Sequence, residues 1–98
     1  MTRGKRKCSL RDFREAIVLY TTEHIDQIRL TFYPSRKKEQ LSPALEPDRW
    51  ELVASYPARH SPEMVYEFAC EPYKGKLKGY VYTTLDSCTI ENTVVQTE

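Results

Sequence analysis

The sequence predicts an α+β fold, in which a short N-terminal helix packs on an antiparallel sheet of four to six strands, as a sandwich or small open barrel. Two observations indicate this class. Apolar residues near the N-terminus recur at helical spacing, whereas those after residue 48 alternate with polar ones, as in strands with one wet face. A chain of 98 residues makes one domain with a small core, which dimerisation would help to stabilise.

The first expected element is a helix that begins at Ser9. The Ser9 hydroxyl can cap a free backbone amide, and Asp12 places an acid in the first turn, where it complements the helix dipole. Apolar residues at three- and four-residue spacing follow, so we predict a helix over about residues 9–17 and then a strand. The alternative is one long helix from Ser9 to about Leu30. The residues that would share a face of that long helix are Ile17, Tyr20, His24, Ile25 and Ile28.

Residues 28–33 alternate between apolar and polar side chains, which predicts a half-buried strand that Pro34 ends. Residues 34–48 contain three prolines and a run of charges, which predicts a mobile loop with extended segments. The basic residues 1–8 are predicted to form a disordered arm. A single domain would then span residues 9–98.

Three further strands are predicted from period-two alternation. They are RWELVASYP at residues 49–57, MVYEFACE at 64–71 and LKGYVYTTL at 77–85. Gly75 predicts the turn between the last two, because a hairpin turn needs positive φ. Residues 93–96 are predicted to form an edge strand or to fray. The side chains expected to share one face are Trp50, Leu52, Ala54 and Tyr56 in the first strand and Met64, Tyr66, Phe68 and Cys70 in the second.

The net charge is only +1, but it is distributed unevenly along the chain. Residues 1–38 carry a local charge of +6 and residues 72–78 carry +3, whereas residues 39–71 carry −5 and residues 79–98 carry −3. Such polarity suits nucleic acid, an acidic protein patch or self-association between unlike faces. The basic residues that would contact nucleic-acid phosphates are Arg3, Lys5, Arg6, Lys7, Arg36, Lys37, Lys38, Lys74, Lys76 and Lys78.

Tyrosine is frequent, with seven residues, and its apolar ring with a polar tip suits strands and contact surfaces. In a thin domain one face of the sheet would stay uncovered, and a patch there with Tyr33, Tyr80 and Tyr82 would bind a partner or a second copy. We predict Trp50, Tyr56 and Tyr66 in the core. The tyrosines assigned to partner binding are Tyr33, Tyr73, Tyr80 and Tyr82.

The sequence carries no specific motif for catalysis, cofactor binding or metal binding. Its histidines and cysteines lack the short spacings of zinc sites, and it has no glycine-rich phosphate loop and no nucleophile elbow. We therefore expect no enzymatic activity, no cofactor, no metal and no small-molecule substrate. The three cysteines are too few and too widely spaced for a disulfide framework. Cys70 is predicted to be a buried apolar residue, and Cys8 and Cys88 incidental thiols.

The chain shows no signal-peptide pattern and no window near the roughly 18 apolar residues that a membrane span needs. We therefore expect an intracellular protein, in the cytoplasm or the nucleus, with no membrane partner.

Two functions are compatible with these features. The first is a non-enzymatic protein-interaction module, of a regulatory or viral accessory type, that binds a protein partner or a second copy through an exposed sheet face or edge. The alternative is a protein that binds RNA or single-stranded DNA with its basic arm, basic loop and Lys-rich hairpin. The acidic middle segment and the near-neutral net charge favour the first function.

Overall fold

The computed structural model describes residues 8–73, 75–83 and 89–97. It has one long helix packed on a four-stranded antiparallel sheet, which confirms the predicted α+β class, and the sheet is not closed into a barrel. The helix, α1, spans Leu10–Phe32. The alternative of one long helix is therefore right, whereas the short helix and the strand at residues 28–33 are wrong.

A capping box starts α1. The Ser9 hydroxyl accepts a hydrogen bond from the Asp12 amide, and the Asp12 carboxylate accepts one from the Ser9 amide at 2.8 Å. One stripe of the helix is buried against the sheet, and this packing outweighs the weak helix propensity of its β-branched residues. The helix ends at Phe32, shortly before Pro34. The buried residues of the stripe are Phe13, Ile17, Thr21, Ile25 and Ile28.

Within α1 the backbone departs from helical geometry at His24, where φ is −118° and ψ is 15°. The hydroxyls of Thr21 and Thr22 each donate to the carbonyl four residues earlier, at 2.8 Å. His24 Nδ1 lies 2.9 Å from the Tyr20 carbonyl oxygen. Such bonds to the preceding turn bend helices. The residues that gave this segment a strand-like composition therefore bend the helix rather than end it.

Two 3-10 helices, Lys38–Leu45 and Pro47–Arg49, connect α1 to the sheet. The prediction of extended segments here is wrong, because the segment is helical and contributes Leu41 and Ala44 to the core. The Trp50 indole N–H donates to the Ala44 carbonyl at 3.1 Å. This hydrogen bond fixes the connector to the first strand.

The sheet is a meander of β1 (Trp50–Pro57), β2 (Met64–Cys70), β3 (Leu77–Thr83) and β4 (Ile90–Thr97), in that spatial order. Each strand pairs antiparallel with the next. The three strands predicted from alternation are confirmed, and the C-terminal segment forms an edge strand longer than expected. Gly75, between β2 and β3, has the predicted positive φ, 83°.

The pairing of β1 with β2 shifts by one residue at Val53, between Leu52 and Ala54. Because a bulge inserts one extra residue, the side chains that follow it point to the face opposite the one that simple alternation predicts. Leu52 therefore lies on the helix side with Trp50, whereas Ala54 and Tyr56 lie on the opposite side. The prediction that alternate residues of β1 share one face throughout is wrong for this reason, and Tyr56 is exposed rather than in the core.

The core lies between α1, the connector and one face of the sheet. Helix and sheet approach so closely that a Cβ atom on Gly79 would lie 2.9 Å from Ile17 Cδ1. Tyr66 is half-buried, and its ring packs on that of Phe13 with centroids 4.5 Å apart. The core is thus built on one side of the sheet. Its fully buried large side chains are Trp50, Phe68, Ile17, Leu41, Leu77, Val81, Thr21 and Cys70.

Candidate functional site

The face of the sheet that points away from α1 is named here the open face. In the part of the chain that the structure describes, the helix and the connector pack on the opposite face. The side chains of the open face alternate with core residues along each strand, as the pleat requires. They belong to Glu51, Ala54, Tyr56, Val65, Glu67, Ala69, Lys78, Tyr80, Tyr82, Asn92, Val94 and Gln96.

Three tyrosines cover aliphatic side chains on the open face. Val65 lies between Tyr56 on β1 and Tyr82 on β3, and it is only 4% exposed although it is not part of the core cluster. Tyr80 lies opposite Val94 on β4. Such cross-strand pairs of an aromatic with a β-branched residue stabilise a sheet, and tyrosine is also enriched at protein interfaces.

One ion pair occupies the middle of the open face. Lys78 Nζ lies 2.9 Å from Glu67 Oε2, and the two side chains are only 18% and 16% exposed. The Tyr56 hydroxyl donates to Glu67 Oε1 at 3.4 Å. Desolvation, followed by the charge of Glu67 and then by the two neighbouring tyrosines, raises the pKa of Tyr56. Tyr56 is therefore a neutral hydrogen-bond donor at physiological pH.

The edges of the sheet are less suited to binding than its open face. β1 contains the bulge and ends at Pro57, and both features disturb the ladder that an added strand would need. At the other edge, the helix packs beside β4, whose pairing with β3 shifts between Tyr82 and Thr83. The open face is therefore the candidate docking surface.

A second site, the tyrosine pocket, lies at the C-terminal end of α1. It is lined by Tyr33, Arg36, Pro72, Tyr73 and Lys76 and has a volume of about 350 Å³. The tyrosine ring centroids lie 5.7 Å apart, and the guanidinium carbon of Arg36 is 5.6 Å from each. The Arg36 amide donates to the Tyr33 carbonyl and the Lys76 amide to the Tyr73 carbonyl, both at 2.9 Å. These hydrogen bonds order the backbone at Arg36 and Lys76, whose side chains line the pocket.

The two hydroxyls of the tyrosine pocket differ. The Tyr73 hydroxyl donates to the Gln40 carbonyl at 2.9 Å, and burial raises the pKa of Tyr73 to about 12. The Tyr33 hydroxyl oxygen is buried and has no hydrogen-bond partner among the described residues. Burial, opposed by the positive charge of Arg36, raises the pKa of Tyr33. Tyr33 therefore keeps unused hydrogen-bonding capacity.

The tyrosines assigned to partner binding fall into two places. Tyr80 and Tyr82 lie on the open face, where Tyr56 joins them. Tyr33 and Tyr73 pack against each other in the tyrosine pocket, and Tyr73 is buried. The prediction that Tyr33 shares an uncovered patch with Tyr80 and Tyr82 is therefore wrong. Alternation alone missed Tyr56, because it does not reveal the bulge in β1.

The basic residues assigned to nucleic acid that the structure describes lie in several different places. Lys78 is paired on the open face, Lys76 lines the tyrosine pocket, and Lys38 Nζ lies 3.3 Å from the Asp26 carboxylate. Lys37 is exposed. Lys76 and Lys78, the two hairpin lysines that the structure describes, therefore lie at different sites. The assigned residues outside the described ranges are Arg3, Lys5, Arg6, Lys7 and Lys74.

The cysteines differ in state. Cys70 is free and fully buried, as predicted, and burial raises the pKa of its thiol to about 12, so it is protonated and unreactive at neutral pH. Cys8 is disulfide-bonded, and the prediction of an incidental thiol is wrong there. Cys88 lies outside the described ranges. The described residues contain no group of three or more His, Cys, Asp or Glu side chains placed to hold a metal.

No helix in the described ranges combines the length and the apolar character that crossing a membrane requires. Comparisons of the chain with protein-family models, with curated proteins and with solved structures found no match. The open face and the tyrosine pocket are the two candidate sites of the protein.

Proposed function

We propose that this protein is a non-enzymatic protein-interaction domain, of a regulatory or accessory kind, whose open face binds the open face of a second copy. The observation that carries the proposal is a sheet surface on which three tyrosines surround a mostly buried ion pair. Covering such a surface with protein is favourable, because its aromatic and aliphatic atoms leave water while its polar tips keep their hydrogen bonds.

The open face is large enough for a small two-fold interface. Four strands about 4.8 Å apart, with about seven residues each at about 3.3 Å per residue, give a footprint of roughly 440 Å² before side-chain relief is counted. Specific interfaces bury about 800 Å² of accessible surface on each partner. We therefore expect a reversible dimer with a Kd on the order of micromolar.

The charges of the open face are self-complementary. Glu67 and Lys78 lie side by side at its centre and together carry no net charge. Consider a two-fold axis that lies in the plane of the interface, perpendicular to the line from Glu67 to Lys78. It sets Glu67 of each copy over Lys78 of the other, so that neighbouring charges alternate in sign. Glu51, the remaining charged residue of the face, is exposed on the edge strand β1. Charge is well tolerated at the rim of an interface.

A charge swap tests this arrangement. Lys78→Glu alone places four carboxylates at the centre of the dimer and should weaken dimerisation at least about tenfold. Two copies of the double variant Glu67→Lys/Lys78→Glu restore the alternation and should dimerise like the wild type. The double variant should form no hybrid dimers with wild-type chain, because like charges would then face each other. Sedimentation velocity measures the affinities, and native mass spectrometry of an isotope-labelled mixture detects hybrids.

Two truncations separate the open face from the rest of the surface. Tyr82→Ala should weaken the dimer about tenfold, a typical cost for truncating a central interface tyrosine. Leu30→Ala, which shortens an α1 side chain that is 62% exposed, should leave the dimer unchanged. Circular dichroism and denaturant unfolding establish that each variant is folded. A wild-type chain that is monomeric at about 1 mM, or a folded double variant that does not self-associate, would refute the proposal.

A further inference from the structure

We propose that the tyrosine pocket binds a nucleotide, that is, a planar base joined to a phosphate, either free or as the end of a single strand of nucleic acid. The pocket shares no residue with the open face, so this inference does not depend on the proposed dimer. The fold brings together in this pocket residues that were assigned from the sequence to different partners. Tyr33 and Tyr73 were assigned to protein, and Arg36 and Lys76 to nucleic acid.

The charge of the pocket favours an anion. Arg36 and Lys76 line it, and none of its described lining residues is acidic. Neither cation forms an ion pair with another described residue, and both are exposed to solutes. The C-terminal end of α1 opposes an anion with about half a negative charge, which two full positive charges outweigh. A phosphate is the anion that Arg and Lys together bind best.

The walls of the pocket favour a flat ring beside that phosphate. The rings of Tyr33 and Pro72 provide apolar surfaces beside the buried ring of Tyr73, and nucleic-acid bases stack on tyrosine rings and arginine planes. A volume of about 350 Å³ is within the range of pockets for small ligands. The pocket therefore has room for one base and its phosphate.

The position of Arg36 favours a nucleotide over a phosphotyrosine. Its guanidinium lies over the faces of both tyrosine rings. A phosphate bound to Arg36 therefore cannot lie in the plane of a ligand ring that stacks on either tyrosine. The sugar of a nucleotide is a bent, flexible link that allows this. In phosphotyrosine the phosphate is attached directly to the ring and cannot bend away from it to the same extent.

The backbone of the pocket is ordered before a ligand binds. The main-chain amides of Arg36 and Lys76 donate to tyrosine carbonyls, and the Tyr73 hydroxyl donates to the Gln40 carbonyl, so the backbone need not be ordered on binding.

Calorimetric titration of the full chain with AMP, adenosine and inorganic phosphate tests the inference. AMP should bind at least about tenfold more tightly than either of its parts, because it uses the rings and the cations together. Arg36→Gln and Lys76→Gln should each weaken AMP binding at least about fivefold. The matched control is Lys37→Gln, which removes a neighbouring exposed cation that does not line the pocket and should change the affinity less than about twofold.

One further ligand identifies the source of the nucleotide. A 5′-phosphorylated tetranucleotide that binds more tightly than AMP indicates the end of a strand, whereas equal affinity indicates a free nucleotide, and either result supports the inference. It would be overturned by the absence of AMP binding at about millimolar concentration, by equal losses in Lys37→Gln and Arg36→Gln, or by tighter binding of a phosphotyrosine peptide. Circular dichroism of each variant excludes loss of fold as the cause.

Discussion

Buried polar side chains in this domain mostly reach a backbone carbonyl. Thr21 bonds the preceding helical turn, Trp50 bonds the connector, and Tyr73 bonds Gln40. Each pairing offsets the cost of removing a polar atom from water. The Tyr33 hydroxyl is an exception in the described part of the chain, because its oxygen is buried without a partner there.

Alkaline pH should destabilise the fold through Tyr73. Its pKa is raised from 10.0 to about 12 by burial, so the unfolded chain loses this proton first as the pH rises. The stabilisation is complete below about pH 10 and is lost between about pH 10 and 12, with a slope of up to about 1.4 kcal/mol per pH unit. Denaturant unfolding at about pH 9 and about pH 11 measures it. Tyr73→Phe, which keeps the ring, should show a shallower decline, and an unchanged decline would contradict the assignment.

At the scale of elements, α1 packs directly on β3 where Ile17 meets Gly79. Gly79→Ala would bring a methyl group to 2.9 Å from Ile17 Cδ1 and should lower the free energy of unfolding by about 1–3 kcal/mol, the usual cost of overpacking. Ile17→Val removes that Cδ1 atom, so the two substitutions together should cost less than the sum of their separate costs. Denaturant unfolding of the two single variants and the double variant measures this coupling.

Gly75→Ala is the matched control for that cycle. A methyl group at Gly75 has open space around it, but the φ of 83° is unfavourable for alanine. We expect a cost of about 1 kcal/mol that adds to that of Ile17→Val without coupling. Equal coupling of both glycine variants to Ile17→Val would show that the close approach of α1 to β3 is not the cause.

At the scale of the whole molecule, the fold separates a covered from an uncovered side of one sheet. The core on the α1 side provides the folding free energy, while the open face keeps aromatic and aliphatic groups on which neither the helix nor the connector packs. The tyrosine pocket lies elsewhere, beside the end of α1. Binding at one site should therefore leave the other accessible.

Elements that follow one simple local pattern were predicted correctly from the sequence, whereas elements that fit two patterns were not. The strands β2 and β3 follow simple alternation, and Ser9 with Asp12 forms a recognisable cap, so both were predicted. The strand expected at residues 28–33 was wrong because IRLTFY fits a period of two as well as the last turns of a helix. The choice between them depends on packing against the sheet, which a local pattern does not contain.

The sites were predicted less well than the fold. Tyr80 and Tyr82 follow from alternation in β3, but Tyr56 reaches the open face only because of the bulge in β1. The tyrosine pocket joins residues about 40 positions apart, Tyr33 and Tyr73. Their contact depends on how the connector folds back, and no local pattern in the sequence encodes it.

The most direct test of the open face as a docking surface is a dilution series of the wild-type chain followed by methyl and aromatic NMR. We expect the signals of Val65, Val94 and Tyr82 to shift with concentration, because these side chains enter the interface. The methyl signals of Leu19 and Leu30, which are exposed on α1, should not move. Spectra that are independent of concentration, or shifts confined to these two leucines, would contradict the account.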